Sequence, residues 1–359
     1  MSAIRKKERV SKRPVVTAKD VIHIGLDVHK KSIHVAVWKN GAVDDTWVAG
    51  SDYSALCAQL EVYRPAVKSV AYEAGPTGFA LARLLEAEGF KTIVCAPSKT
   101  PVRPGDETKC DRLDARKIAV YTAQGLLTPV TIPTEAEECQ RSLVRLRDQL
   151  AKKIRRAKQQ IKGALLFHQC GSLNSWSAAE RGRLLDTELP AEVRFALDSH
   201  FRELDFLDAE RRKVDIELRA TLKRRRQSET IRKLETHPGV GPVVSACFVL
   251  ELFRPRRFKH GDAVARYVGL APRVRQSGES CRGGSLLKAG QGRLRSLLLQ
   301  SAWRWRACDE RARAIYNRLL ANTGNGNKAI VGLARRLAIR LWTMWIRGEA
   351  YEASKGACT

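Results

Sequence analysis

The segment CQRSLVRLRDQLAKKIRRAKQQIKGALLF sets Leu143, Leu146, Leu150, Ile154, Ala157, Ile161 and Leu165 at steps of three and four. That spacing lines one face of an α-helix and no face of a strand, so the middle of the chain is committed to a long helix that needs an apolar partner. A second long polar helix is expected from about 204 to 235, where residues 211 to 233 hold ten Lys/Arg against three Asp/Glu. With the broken loop GSLNSWSAAERG between them, the two describe an antiparallel helical arm or coiled coil over 135–235. A solvated face and a nucleic-acid-binding face account equally well for its charge.

Ahead of this arm the periodicity is different. VIHIGLDVHKKSIHVAVWKNG offers two β-rich runs, Val21 to Leu26 and Ile33 to Trp38, followed by a turn at Asn40-Gly41. DYSALCAQLEVY reads as a helix, VKSVAYEAG as a strand, TGFALARLLEAEG as a helix, FKTIVCAP as a strand and DRLDARKIAVYTAQG as a helix. Strands alternating with helices after an opening hairpin predict a mixed-sheet α/β domain over residues 21–130. Residues 1–20 read as a flexible basic arm.

The third region, 236–348, is expected to be mainly helical, with a tail at 349–359. His237-Pro238-Gly239-Val240-Gly241 leads into an apolar helix; its glycines suit either phosphate binding at the helix N-terminus or a tight helix-helix turn. GDAVARYVGLAPRV reads as a helix running into a loop, QSGESCRGGS as a Gly/Ser-rich loop and GRLRSLLLQSAWRWRA as an Arg-studded helix. The last helix is NKAIVGLARRLAIRLWTMWI, whose tryptophans are expected in the core.

A formal net charge of +27 points to a polyanionic partner, DNA or RNA before an anionic membrane surface. Nine cysteines spread singly, with no CxxC, imply neither zinc nor disulfides, and a charged N-terminus without an apolar run implies no secretory signal. A cytoplasmic, non-membrane protein with reduced thiols is the expectation.

Against that basic background the acids stand out. Asp111 and Asp114 lie three apart on one helix, so their carboxylates face roughly the same way. Asp27 closes the first strand and Glu73 ends another, and strand ends in α/β sheets share a crevice. Four such carboxylates suit a pair of divalent metal ions, magnesium above all, for phosphodiester chemistry. The alternative is that Asp27 merely ends a strand and Asp111 caps a helix.

IGLDVHKKSIHVAV, YEAGPTGFALARLLEAEG and KCDRLDARKIA resemble the N-terminal half of the DEDD-type insertion-sequence transposases that also carry a serine-bearing C-terminal domain. PGVG, RYVGLAPRVRQSGES and GRLRSLLLQSAW resemble the second half in the same order. The resemblance implies a RuvC-like, RNase H-type domain with Asp27, Glu73, Asp111 and Asp114 as its acids, and Ser277 in RQSGE as a nucleophile, with Ser280 and Ser285 close by. It implies a recombinase that works with donor and target DNA and a structured non-coding guide (bridge) RNA. A prokaryotic homo-oligomer is expected, a dimer assembling to a tetramer, with an active site composed between protomers. Where the family carries Lys-x-Gly-Asn, this chain has KAGQG, with Gln291-Gly292.

No histidine lies near Ser277 in sequence and no G-x-S-x-G elbow is present, so activation is expected from a metal at the acidic site. Arg273, Arg275 and Arg282 flank the serine and, with Lys288, Arg293 and Arg295, are the expected nucleic-acid contacts. Two other readings stay open: a Holliday-junction-like metal-dependent endonuclease, and a nucleic-acid-binding protein without catalysis.

Overall fold

The computed structural model describes residues 15–97, 100, 111–223, 227–277, 280–286 and 290–351, leaving out the side chains of 111, 112, 227, 228, 273–277 and 280–285. The chain divides into two compact units, Met1–Ala136 and Glu137–Thr359. Most of the expected basic arm, and the tail beyond Tyr351, lie outside the described residues. Residues 15 to 20 are tied down: Lys39 Nζ donates to Val15 O, and Asp20 accepts from Thr17 N and Asn40 Nδ2.

The first unit is a five-stranded mixed sheet of β1 (Ile22–Val28), β2 (Ser32–Lys39), β3 (Ala42–Gly50), β4 (Val67–Glu73) and β5 (Thr92–Cys95), in the order β3-β2-β1-β4-β5. The first three strands are antiparallel neighbours, whereas β1, β4 and β5 run parallel. The alternation in IHIGLD decides the faces. Ile22, Ile24 and Leu26 are fully buried in a core shared with α1 (Tyr53–Leu60) and α2 (Ala80–Ala87). His23, Gly25 and Asp27 turn to the other face, where α3 (Asp111–Ala123) lies.

The edge strand β3 was not expected from sequence. AVDDTWVAG carries two aspartates where a buried strand would carry apolar residues, so its period is faint. What defines it is the turn before it: Asn40 and Gly41 both adopt positive φ, at 48° and 115°, as a two-residue hairpin turn requires.

In the second unit α4 (Glu135–Phe167) runs 33 residues, about 50 Å of helix. Its Leu150, Ile154, Ala157, Ile161 and Leu165 pack against Leu197, Phe201, Leu204, Leu207 and Val214 of α6 (Ala191–Lys223). The expected stripe fails at its start, where Leu146 is exposed and Val144 is buried instead. The first turns of α4 serve a different core, built around α8 (Pro242–Leu252), and a different partner selects a different face.

The single helix expected over 204–235 is two, α6 starting at Ala191 and α7 (Gln227–Glu235). The broken loop holds α5 (Ala178–Leu185), whose N-cap Ser177 accepts from Glu180 N. α9 (Gly261–Val268), α10 (Gly292–Cys308), α11 (Glu310–Thr323) and α12 (Gly326–Arg347) complete the helical set, of which α11 was not foreseen. Trp305 is buried, and Trp342 and Trp345 pack against the same core, as expected of core tryptophans.

PGVG is a packing turn. Gly239 has φ 82°, and a Cβ there would meet Ser301 O and Trp305 N at 2.7 Å, so the turn rests directly on the α10 backbone. QSGESCRGGS, expected as a loop, belongs to a two-stranded hairpin of β6 (Pro272–Ser277) and β7 (Ser280–Leu286). Backbone pairing makes that hairpin, and a Gly/Ser-rich composition conceals it.

Candidate active site

The acidic site starts from strand register. Leu26 pairs with Tyr72 across parallel strands β1 and β4, so Asp27 and Glu73 are the next residues along two adjacent strands at their C-terminal ends. Both lie on the α3 side, because Gly25 and Ala71 share that parity and sit under the helix.

Three small residues, Ala36, Gly25 and Ala71, occupy one row across β2, β1 and β4, and α3 rests on that row through Ala115 and Ala119. A Cβ on Gly25 would stand 2.3 Å from both Ala115 O and Ala119 N. That contact fixes α3 on the sheet at the residue following Asp114, two residues short of Asp27 along β1.

Asp27 Oδ2 is 2.9 Å from His29 Nε2, and His29 meets His34 edge to face at 6.3 Å. Asp114 lies 4.0 Å from Lys117 Nζ, one turn along the helix. Sequence reasoning passed over His29, although strand period two in DVH already places it on the side of Asp27. Asp111 opens α3, and its side chain lies outside the described residues. Among the described residues no group of three or more His, Cys, Asp or Glu is spaced to hold a metal. The donor chemistry nevertheless suits magnesium, since Asp27, Glu73 and Asp114 offer carboxylate oxygens, the ligands a hard divalent cation takes.

The serine element is built from the junction of α9 and α10. Gly269 ends α9 in the left-handed conformation, and Gly290, at φ 100°, sits so close to it that a Cβ would stand 2.5 Å from Tyr267 O. Gln291 N donates to Tyr267 O, and Arg295 Nη1 donates to Gly269 O. The two chain segments that lead into and out of the hairpin are thereby clamped together. Ser277 is the last residue of β6 and pairs with Ser280, while Arg275 pairs with Arg282 two register steps below. The side chains of Arg273, Arg275, Ser277, Ser280, Arg282 and Ser285, and all of Lys288, lie outside the described residues.

Arg293 is held by acids. Its Nε donates to Asp148 and its Nη1 to Glu251, each at 3.1 Å, and Glu251 also takes Arg141 at 3.1 Å. Glu251 is 1 % exposed. Neither Asp148 nor Glu251 stood out in the sequence, where they are single acids in two distant helices. Gln291, which stands where the related pattern has Asn, is the N-cap of α10 and makes no side-chain cap.

Two family models match these two elements separately. A DEDD transposase model of IS110 covers residues 24–169, which include all four acids, and the Transposase IS116/IS110/IS902 family model covers 231–317, which includes the hairpin. The chain is 30 % identical over 292 residues to the transposase-named protein y4qE of Sinorhizobium fredii, covering 79 % of this chain and 71 % of that one. The chain belongs to the IS110 family of transposases. The y4rJ protein of the same organism is 30 % identical over 319 residues, covering 79 % of this chain and 78 % of the relative. The Leptospira borgpetersenii transposase for insertion sequence element IS1533 is 22 % identical over 333 residues, covering 89 % and 94 %. As an IS110-family transposase the protein cuts and rejoins DNA. Among the described residues no helix is long and apolar enough to cross a membrane.

Proposed function

We propose that this IS110-family transposase is an RNA-guided recombinase that exchanges DNA strands through a phosphoseryl intermediate at Ser277. The observation that carries the reading is the place of Ser277. It ends a strand, in the last pair of a hairpin whose base is clamped by Gly269 and Gly290, with cross-strand partners Arg275 and Arg282 beside it. Like charges directly opposed across a ladder disfavour pairing unless an anion lies near, and a scissile phosphate is such an anion.

In the proposed step the Ser277 hydroxyl loses its proton as its oxygen bonds to phosphorus, the bond from phosphorus to the 3′-oxygen breaks, and the departing 3′-oxygen takes up a proton, so that protons balance. The phosphodiester energy is kept in the seryl ester for rejoining to another strand. Arg273, Arg275 and Arg282 neutralise charge on the transferred phosphoryl group, a role suited to planar guanidinium donors. Arg293 and Arg295 act as framework, holding α10 and the hairpin base through the contacts described above.

Asp27, Glu73, Asp111 and Asp114 would hold magnesium, which supplies Lewis-acid stabilisation of phosphoryl oxygens when bound. His29 keeps Asp27 oriented through the 2.9 Å contact. Donor and target DNA are the substrates, a structured guide RNA selects them by pairing, and the protein works as a homo-oligomer, a dimer assembling to a tetramer.

The test is a trapping experiment with labelled donor and target DNA, guide RNA and magnesium, followed by denaturation and mapping of any DNA-linked peptide. A link at residue 277 that vanishes in S277A is the expected result. A link at Ser280 or Ser285 moves the nucleophile along the hairpin. Cleavage without a covalent species under trapping conditions would overturn the intermediate in favour of a metal-dependent endonuclease, and binding without cleavage would overturn catalysis.

A further inference from the structure

On α12, Arg340, Thr343 and Arg347 recur at steps of three and four along one face. They line a cavity of about 660 Å³ with Arg311 of α11 and with Tyr351, which follows the left-handed Gly348 cap. The volume lies within the range of sites that enclose a ligand.

The cavity wall is fixed. Tyr351 N donates to Thr236 Oγ1 at 2.7 Å, its hydroxyl donates to Asp309 Oδ2 at 2.6 Å, and the Arg340 guanidinium lies 4.6 Å over its ring. Stacking on an aromatic ring holds a guanidinium plane in place without neutralising it.

Among the described residues the positive charge in the cavity is only partly compensated. Asp309 is occupied by Tyr351 and by capping α11. Glu349 reaches Arg347 at 3.9 Å with both side chains more than 60 % exposed, a pair worth little in water. Among the described residues Arg311 and Arg340 have no carboxylate within ion-pair distance. Three guanidiniums gathered in one concavity repel one another, and their forks match the oxygens of phosphate diesters.

We propose that the Arg311–Arg340–Arg347 pocket is a second nucleic-acid site, one that grips phosphodiester backbone and is separate in sequence from the serine hairpin. It deepens the reading of the chain as a nucleic-acid recombinase and rests on it. The pocket holds; the hairpin reacts.

The test uses the full chain with the variant R311Q/R347Q, which changes two exposed side chains and leaves the Arg340 stack intact. A control variant, R313Q/R318Q, removes the same charge from exposed positions on α11 outside the cavity. Binding is followed by fluorescence anisotropy on duplex DNA and, separately, on a structured RNA across a salt titration. For the duplex the pocket variant is expected to lose about 0.9 of log-log salt slope per missing contact, hence about a tenfold smaller fall in affinity between about 50 and 200 mM salt. The control should keep the wild-type slope.

An effect confined to the DNA arm or to the RNA arm assigns the backbone the pocket holds. Equal slopes for the pocket variant and wild type, or equal losses in pocket and control variants, would overturn the site while leaving the recombinase reading intact. Wild-type protein that bound neither nucleic acid would overturn both. R340Q, paired with a thermal melt, gives an independent variant: weakened binding without a lowered melting temperature supports the site.

Discussion

Replacing Glu251 by glutamine keeps the volume of a side chain that is 1 % exposed and removes the charge on which two guanidiniums converge. Arg141 donates to it from Nη2 at 3.1 Å and Nε at 3.3 Å, and Arg293 from Nη1 at 3.1 Å. Among the described residues Arg141, 8 % exposed, ion-pairs with Glu251 alone, whereas Arg293 is 24 % exposed and keeps Asp148. Breaking a buried pair from one side costs about 3–5 kcal/mol, because the remaining charge stays desolvated. The Arg293 share is smaller, being partly screened and still paired, so the expected loss in E251Q is about 3 kcal/mol.

The assay is urea unfolding followed by tryptophan fluorescence, since Trp305 sits in the same core as α8. The triple variant R141M/E251L/R293M removes every charge that Glu251 binds and should recover most of the loss, because apolar replacements of a buried ion cluster are often neutral. A loss below about 1 kcal/mol in E251Q, or a triple variant less stable than E251Q, would refute the argument that an uncompensated charge is what costs. The cluster joins α4, α8 and α10 at the base of the hairpin, so E251Q should also lower covalent DNA capture at Ser277 in folded protein.

Gly25→Ala drives a methyl to within 2.3 Å of two α3 backbone atoms, so it should shift α3, abolish cleavage and cost about 1–3 kcal/mol, read by strand-cleavage assay and thermal melt; wild-type cleavage would disprove the seating of α3 on that residue. The pKa of His237, a residue 1 % exposed and edge-on to Trp305 and Tyr351, is pushed down from the ordinary 6.5 to about 4, chiefly by burial. The neutral ring is the folded form, so its stabilisation is complete above pH 6.5 and is lost as pH falls from 6.5 through about 4. The total is about 3 kcal/mol, and H237N, whose amide can still donate to Pro238 O, should show a flatter stability profile over that window in urea unfolding; an unchanged profile would refute it.

Local pattern and backbone packing divided the work of specifying this protein. The two-residue period of IHIGLD, the helical stripe from Leu150 to Leu165 and the three-residue step from Asp111 to Asp114 are properties of neighbouring residues, and each is visible in one stretch of chain. They determine the strand ends that carry Asp27 and Glu73, the paired long helices, and the resemblance that leads to an IS110-family transposase.

Other features depend on residues far apart in sequence. The edge strand β3 exists because β2 offers it a ladder, and the serine hairpin because β6 and β7 pair, in both cases against their composition. Leu146 faces solvent and Val144 the core because the first turns of α4 meet α8, about a hundred residues on. The partners of Arg293 lie 145 and 42 residues away, so its role in an ion cluster has no sequence signature. A periodicity can announce that a face will be buried, but desolvation decides which charges must meet there, and that is settled only when the helices pack.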